Sequence, residues 1–227
     1  MSRAIVCMAF GEKARAEAAK LSESTPCPLV CVGGKPVPGC QWKAWKGDSP
    51  FDEAGGNNLQ FRAGRVKPFL HEYVEADKVL YLDTDCKVVG PLDDAFDALD
   101  RYDMCIAEHP SQLASQLYNK PRAGWYHSRR EARWTEHRWG TLALPYWNSG
   151  VIFWRQGEAM RRVFAAWADE WLRFAQWDEQ LALMRAVYNN PVRLMVLPVG
   201  WNAPHANQAE AVFHWYGRGT SRVDGAS

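Results

Sequence analysis

Short apolar runs and amphipathic stretches alternate along most of this chain. Residues 5–10 form an apolar run that ends at Gly11, and residues 12–22 carry Ala14, Ala18 and Leu21 at helical spacing. A second apolar run, residues 28–32, stops at Gly33 and Gly34. Strand, helix, strand in that order predicts a parallel sheet covered by helices. Residues 33–64 read as loop, with Pro36, Pro38, Pro50 and the Gly55-Gly56-Asn57-Asn58 run. Residues 66–75 read as a helix with Pro68 in its first turn, where proline is tolerated. Val79-Leu80-Tyr81-Leu82, entered from Lys78 and left through Asp83, fits a strand buried on both faces. A helix over 91–99 and a strand over 104–107 follow, and residues 111–144 break the rhythm. It resumes with a strand over 150–154 and a helix marked by Met160, Val163, Phe164, Trp167, Trp171 and Phe174. A helix over 178–187 and strands at 194–197 and 211–214 complete the pattern. The expectation is a single α/β domain over residues 1–227, Rossmann-like, with a mostly parallel central sheet flanked by helices and an excursion at about 111–144.

Composition narrows the classes. A chain of 227 residues, 47% hydrophobic and 23% charged, buries a sizeable core, which excludes disorder over its length. No apolar run approaches the roughly 18 to 20 residues that span a bilayer. The first residues show no export pattern, and six scattered cysteines lack a second pair at zinc-site spacing. Reduced thiols in a cytoplasmic protein are therefore expected. A net charge of +1 excludes a uniformly basic chain, but the charge is uneven. Residues 115–140 hold six basic and two acidic side chains, with Tyr118, Trp125, Tyr126, Trp134 and Trp139 among them.

The chemistry concentrates at Asp83-Thr84-Asp85. Two carboxylates two apart at a strand tip share a side and repel each other. A divalent cation removes that cost, and hard cations such as Mg²⁺ prefer one or two carboxylates together with substrate phosphates. Ligands of open α/β sheets sit beyond the carboxyl ends of the strands. A metal–diphosphate site follows, although a turn of solvated aspartates explains the tripeptide alone equally well.

The surroundings decide between those readings. Leu80-Tyr81-Leu82-Asp83-Thr84-Asp85 followed by Pro91-Leu92 resembles the Asp-X-Asp strand of GT-A glycosyltransferases, most closely family 8 (glycogenin- and galactosyltransferase-like). The likeness recurs in order: Met8-Ala9-Phe10-Gly11, the basic Arg65-Val66-Lys67-Pro68, Trp147-Asn148-Ser149-Gly150, Trp177-Asp178-Glu179-Gln180, Leu197-Pro198 with Trp201-Asn202, and His214-Trp215-Tyr216-Gly217. The resemblance implies Mn²⁺ or Mg²⁺ held by Asp83, Asp85 and His214. It implies a nucleotide-sugar donor, expected to be a UDP-sugar, bound by Met8, Ala9, Phe10, Gly11, Arg65, Lys67, Asp83, Thr84, Gly217 and Arg218. Asn148 and Asp178 are expected on the sugar side, with Glu179 and Gln180 as alternatives in catalysis. The family often ends with a lysine after its His-X-X-Gly, and Arg218 or Arg222 stands nearest to that place here. The implied activity is hexose transfer to a hydroxyl acceptor, with retention of configuration.

The acceptor falls to the basic, aromatic stretch. Arg122, Trp125, Arg129, Arg130, Arg133, Trp134 and Arg138 suit a glycan or, alternatively, hydroxymethylated DNA, because aromatic faces stack on sugars and on bases. A non-catalytic module binding a sugar nucleotide or nucleic acid is the rival from another class.

Overall fold

The computed structural model describes residues 1–47, 64–118, 129–174 and 179–215. In chain order the elements are β1 (Arg3–Met8), α1 (Gly11–Ser22), β2 (Leu29–Gly33), β3 (Cys40–Ala44), a 3-10 helix (Lys67–Glu72), β4 (Lys78–Leu82), β5 (Cys86–Val88) and α2 (Asp93–Ala98). Then come β6 (Met104–Leu113), α3 (Ala114–Tyr118), α4 (Arg129–Trp139), β7 (Pro145–Arg155), α5 (Glu158–Phe174), α6 (Glu179–Asn189), β8 (Leu194–Leu197), a 3-10 turn (Val199–Asn202) and β9 (Val212–His214).

Seven strands form one sheet in the order β3-β2-β1-β4-β7-β6-β8, and β5 pairs with β9 in a separate ribbon. Every neighbouring pair in the large sheet is parallel except those made by β7, which runs antiparallel to β4 and β6. The expected mostly parallel sheet flanked by helices is therefore present. Both faces are covered, so alternate residues of one strand enter different cores. Val6 packs with Phe164, Trp167 and Leu181 of the layer carrying α5 and α6, whereas Ile5 and Cys7 pack with Ala18, Leu21 and Phe96 of the α1 and α2 layer. The six residues that marked the α5 pattern are all buried. Each contributes roughly 1.5–3 kcal/mol against exposure, which outweighs the weak propensity of isolated helices.

Three expectations change. Residues 40–44, read as loop, form the edge strand β3, pairing with β2 from Cys40↔Leu29 to Gly33↔Ala44. Four of its five residues are exposed, so burial left no alternating pattern to read. The helix expected over 66–75 is 3-10 from Lys67 to Glu72. The break at 111–144 contains the end of β6, which runs to Leu113, then α3 and α4. Helix α4 is pinned by buried Glu131 and Thr135 and ends at Gly140, whose φ of +72° and N–H bond to Glu136 O suit glycine.

Candidate functional site

The site lies where β4 ends. Parallel pairing sets Val6 level with Tyr81, which brings the turn after β1 beside Asp83. Antiparallel pairing sets Leu82 against Val151, and Asp83 N donates to Gly150 O at 2.9 Å. The reversed direction of β7 thus delivers Asn148, Ser149 and Gly150 to the same end of the sheet. The β5–β9 ribbon pairs Cys86 with His214. A bridge between Ala203 and Phe213 then holds the Val199–Asn202 turn behind the imidazole.

Asp83 is gripped on one oxygen. The Tyr81 hydroxyl donates to Oδ1, and Lys67 Nζ stands 3.1 Å from the same atom. Lys67 also donates to Glu179 Oε1 at 2.9 Å and to Ser149 Oγ at 3.1 Å, while Ser149 Oγ donates to Glu179 Oε1 at 2.7 Å. Burial alone would lower the pKa of Lys67, but the charges of Asp83 and Glu179 outweigh it and hold the ammonium above its ordinary value. Burial, then the Asp83 charge, pushes the Tyr81 phenol well up, so it stays a donor.

The other oxygen of Asp83 faces the imidazole. His214 Nε2 lies 3.7 Å from Asp83 Oδ2 and 3.1 Å from Asp85 Oδ1. On its far side His214 Nδ1 meets Asn202 Oδ1 at 2.8 Å. An N–H donated to that amide oxygen leaves the Nε2 lone pair aimed at two carboxylates. Such a face repels itself and accepts a cation, and a ligating histidine is typically oriented by a partner of this kind. Two hard carboxylates and one imidazole fit Mn²⁺ or Mg²⁺. Gly150 makes the room: a Cβ there would stand 2.3 Å from His214 Cε1 and 2.9 Å from Asp83 Oδ2.

The structure brings Asp83, Asp85, His214, Lys67 and Glu179 together. Met8, Ala9, Phe10 and Gly11 form the β1–α1 turn on the same edge, with Gly11 at φ +79° and Ala9 N bonded to Val32 O. Thr84 donates to Glu17 Oε2 at 3.2 Å, tying the aspartate turn to α1. Asn148 Oδ1 accepts from Gly150 N, and Gln180 braces β7 by accepting from Ser149 N and donating to Tyr146 OH. Arg65 is half-buried two residues before Lys67. Asp178, Gly217, Arg218 and Arg222 lie outside the described residues, as do Arg122 and Trp125. Arg129 opens α4, and Arg130, Arg133 and Arg138 are exposed on it. Trp134 packs edge-on against Trp139 and Phe174 with Arg173 over its ring, so it serves packing rather than an open stacking face. The sequence reading missed Tyr81, Ser149 and Asn202 as parts of the site. Tyr81 had a signal, since position i−2 on a strand shares the face of Asp83.

A cleft of about 560 Å³ lined by His71, Glu72, Glu75, Asp77 and Gln156 lies at the opposite end of the sheet, away from this chemistry.

No family model matches the chain. A galactosyltransferase, LgtC, solved in complex with donor and acceptor sugar analogs, superposes with a TM-score of 0.55 at 15% identity, over 94% of this chain and 87% of that one. The chain has the GT-A glycosyltransferase fold. Mouse xyloside xylosyltransferase 1 superposes on this GT-A domain with a TM-score of 0.50 at 14% identity, over 89% and 87% of the two chains. In sequence, glucoside xylosyltransferase 1 of Rattus norvegicus is 28% identical over 148 residues, and that of Homo sapiens is 27% identical over 150. Each match covers 56% of this chain and 30% of the relative, so the matched segment spans under a third of the length of those proteins. These relatives and neighbours are glycosyltransferases, in keeping with the family-8 resemblance. Among the described residues, no helix is long and apolar enough to cross a membrane.

Proposed function

We propose that the protein is a metal-dependent glycosyltransferase that moves a sugar from a UDP-sugar to a hydroxyl of a glycan or similar acceptor, with retention of configuration. The observation that carries the reading is the convergence of Asp83, Asp85 and His214 from two distant parts of the chain at the tip of β4. A divalent ion held by these three residues supplies positive charge against a diphosphate. Lys67 and Tyr81 hold Asp83 so that Oδ2 faces that place. The β1–α1 turn, residues 8–11, forms a floor for the base and ribose. Asn148 and Glu179 bound the sugar side, with Asp178 the neighbouring candidate, and Arg218 or Arg222 adds charge from the tail. Retention rests on the family resemblance. The sugar is a hexose in that resemblance and a xylose in the names of the curated relatives, so both belong in the test.

The purified protein is offered UDP-glucose, UDP-galactose and UDP-xylose with Mn²⁺, and donor hydrolysis and transfer to oligosaccharides are followed. Asp85→Asn is expected to lower turnover by at least about 10²- to 10³-fold while thermal melting stays close to wild type. Wild-type turnover in that variant, or activity indifferent to chelation of the metal, would overturn the reading.

A further inference from the structure

Cys86 follows the second aspartate directly and is 3% exposed. It is the register partner of His214 across the β5–β9 ribbon, so the thiol and the imidazole project from the same face of that ribbon. One ligand atom from each of Asp85, Cys86 and His214 lies within 4.8 Å of the other two. The thiol donates weakly to Gly150 O at 3.9 Å. This donor set differs in kind from the one assigned above. Replacing the Asp83 carboxylate by sulfur turns a hard oxygen-rich site into a mixed oxygen, nitrogen and sulfur site. Zn²⁺ takes such ligands in a tetrahedron, with a fourth position left to water. In that tetrahedron sulfur and nitrogen stand about 3.5 Å apart. The donors, all within 4.8 Å of one another, therefore close by at most about an ångström or a little more, through side-chain rotation about a hydrogen-bonded ribbon.

We propose that Asp85, Cys86 and His214 form a second, thiophilic metal site that takes Zn²⁺ and shares two ligands with the hard-ion site. Coordination forms a metal–sulfur bond in exchange for the thiol proton, which passes to solvent, with no change of oxidation state. Because Asp85 and His214 serve both sets, the two ions exclude each other. The inference rests on the proposed function only in that these two residues are shared; zinc binding itself does not depend on sugar transfer.

The test titrates Cd²⁺, a spectroscopic stand-in for zinc, into the metal-free protein and reads the ultraviolet thiolate-to-metal charge-transfer band, with Zn²⁺ and Mn²⁺ affinities taken by calorimetry. The wild type is expected to show the band at one equivalent, and Mn²⁺ is expected to lower the apparent Cd²⁺ affinity. Cys86→Ser and Cys86→Ala are expected to lose the band and weaken Zn²⁺ by about 10- to 100-fold, with Mn²⁺ affinity within about threefold of wild type. Asp83→Asn keeps the band and loses Mn²⁺. Two variants of different polarity, both checked by circular dichroism, guard against a folding defect in either. A band that survives both substitutions, or equal loss of Zn²⁺ and Mn²⁺, would overturn the proposal. Sugar transfer with Mn²⁺ and no Cys86-dependent band defeats the zinc site alone. The band without transfer defeats the enzymatic reading alone.

Discussion

Two buried clusters in this molecule have the same charge arithmetic and different surroundings. In one, Arg185 stands between Glu131 at 2.5 Å and Glu170 at 2.8 Å, and all three side chains are at most 6% exposed. In the other, Lys67 stands between Asp83 at 3.1 Å and Glu179 at 2.9 Å, but Asp83 keeps 24% of its side chain in solvent. Each cluster is one cation with two carboxylates. The arginine fork donates to one oxygen of each partner, which ties α4 to α5 and α6. The lysine touches only one oxygen of Asp83 and leaves the other facing His214. Burial alone therefore does not mark function. What distinguishes the second cluster is charge left over and aimed at a place a ligand can reach.

The largest expected effect breaks the arginine cluster. Arg185→Leu removes the nearest cation from two buried carboxylates, leaving Glu170 only Arg173 at 3.6 Å, and is expected to cost about 3–5 kcal/mol in chemical denaturation. Combining it with Glu131→Leu and Glu170→Leu should recover most of that loss, and a triple variant as unstable as the single one would refute a purely architectural role. Lys67→Met should show the opposite split. Water reaching Asp83 limits the stability loss to about 1–3 kcal/mol, while turnover falls by at least about 10²-fold because Asp83 and Glu179 lose their placement. A variant that melts early but turns over normally would make the two clusters equivalent after all.

The smallest effect belongs to a third, wetter ion cluster. Asp103 accepts from Arg193 Nη2 at 2.7 Å and from Arg155 at 3.1 Å, clipping together the ends of β6, β7 and β8. Hydrogen bonds from Arg193 hold its pKa at about 2 against an ordinary 3.8. A depressed folded value stabilises above pH 3.8 and that contribution fades as the pH falls through 2. Arg193 is 55% exposed, so screening reduces the gain to about 1 kcal/mol. Asp103→Asn should cost that much at neutral pH and flatten the acid limb of the stability curve between pH 4 and 2.

Much of the fold was legible because burial on two faces writes continuous apolar strands and a clear helical stripe. The α5 stripe and the run at β4 were read from that pattern alone. The edge strand β3 was not, since exposed residues such as Trp42 and Lys43 carry no alternation. The site was half legible. Asp83 and Asp85 announce themselves as two carboxylates at the end of an apolar run. Ser149 and Asn202 do not, because their roles arise from bonds to Lys67, Glu179 and His214 that span 82, 30 and 12 residues.

Local order and the kinds of chemistry available came from the residues themselves: which runs are strands, which faces are apolar, and which tip holds paired acids. Pairing came from the third dimension. An antiparallel β7 set into a parallel sheet carries Gly150 to Asp83, and the small β5–β9 ribbon carries His214 back to Asp85 and Cys86. Strand order and direction are properties of contacts between distant segments, which propensity and periodicity, being local, do not encode.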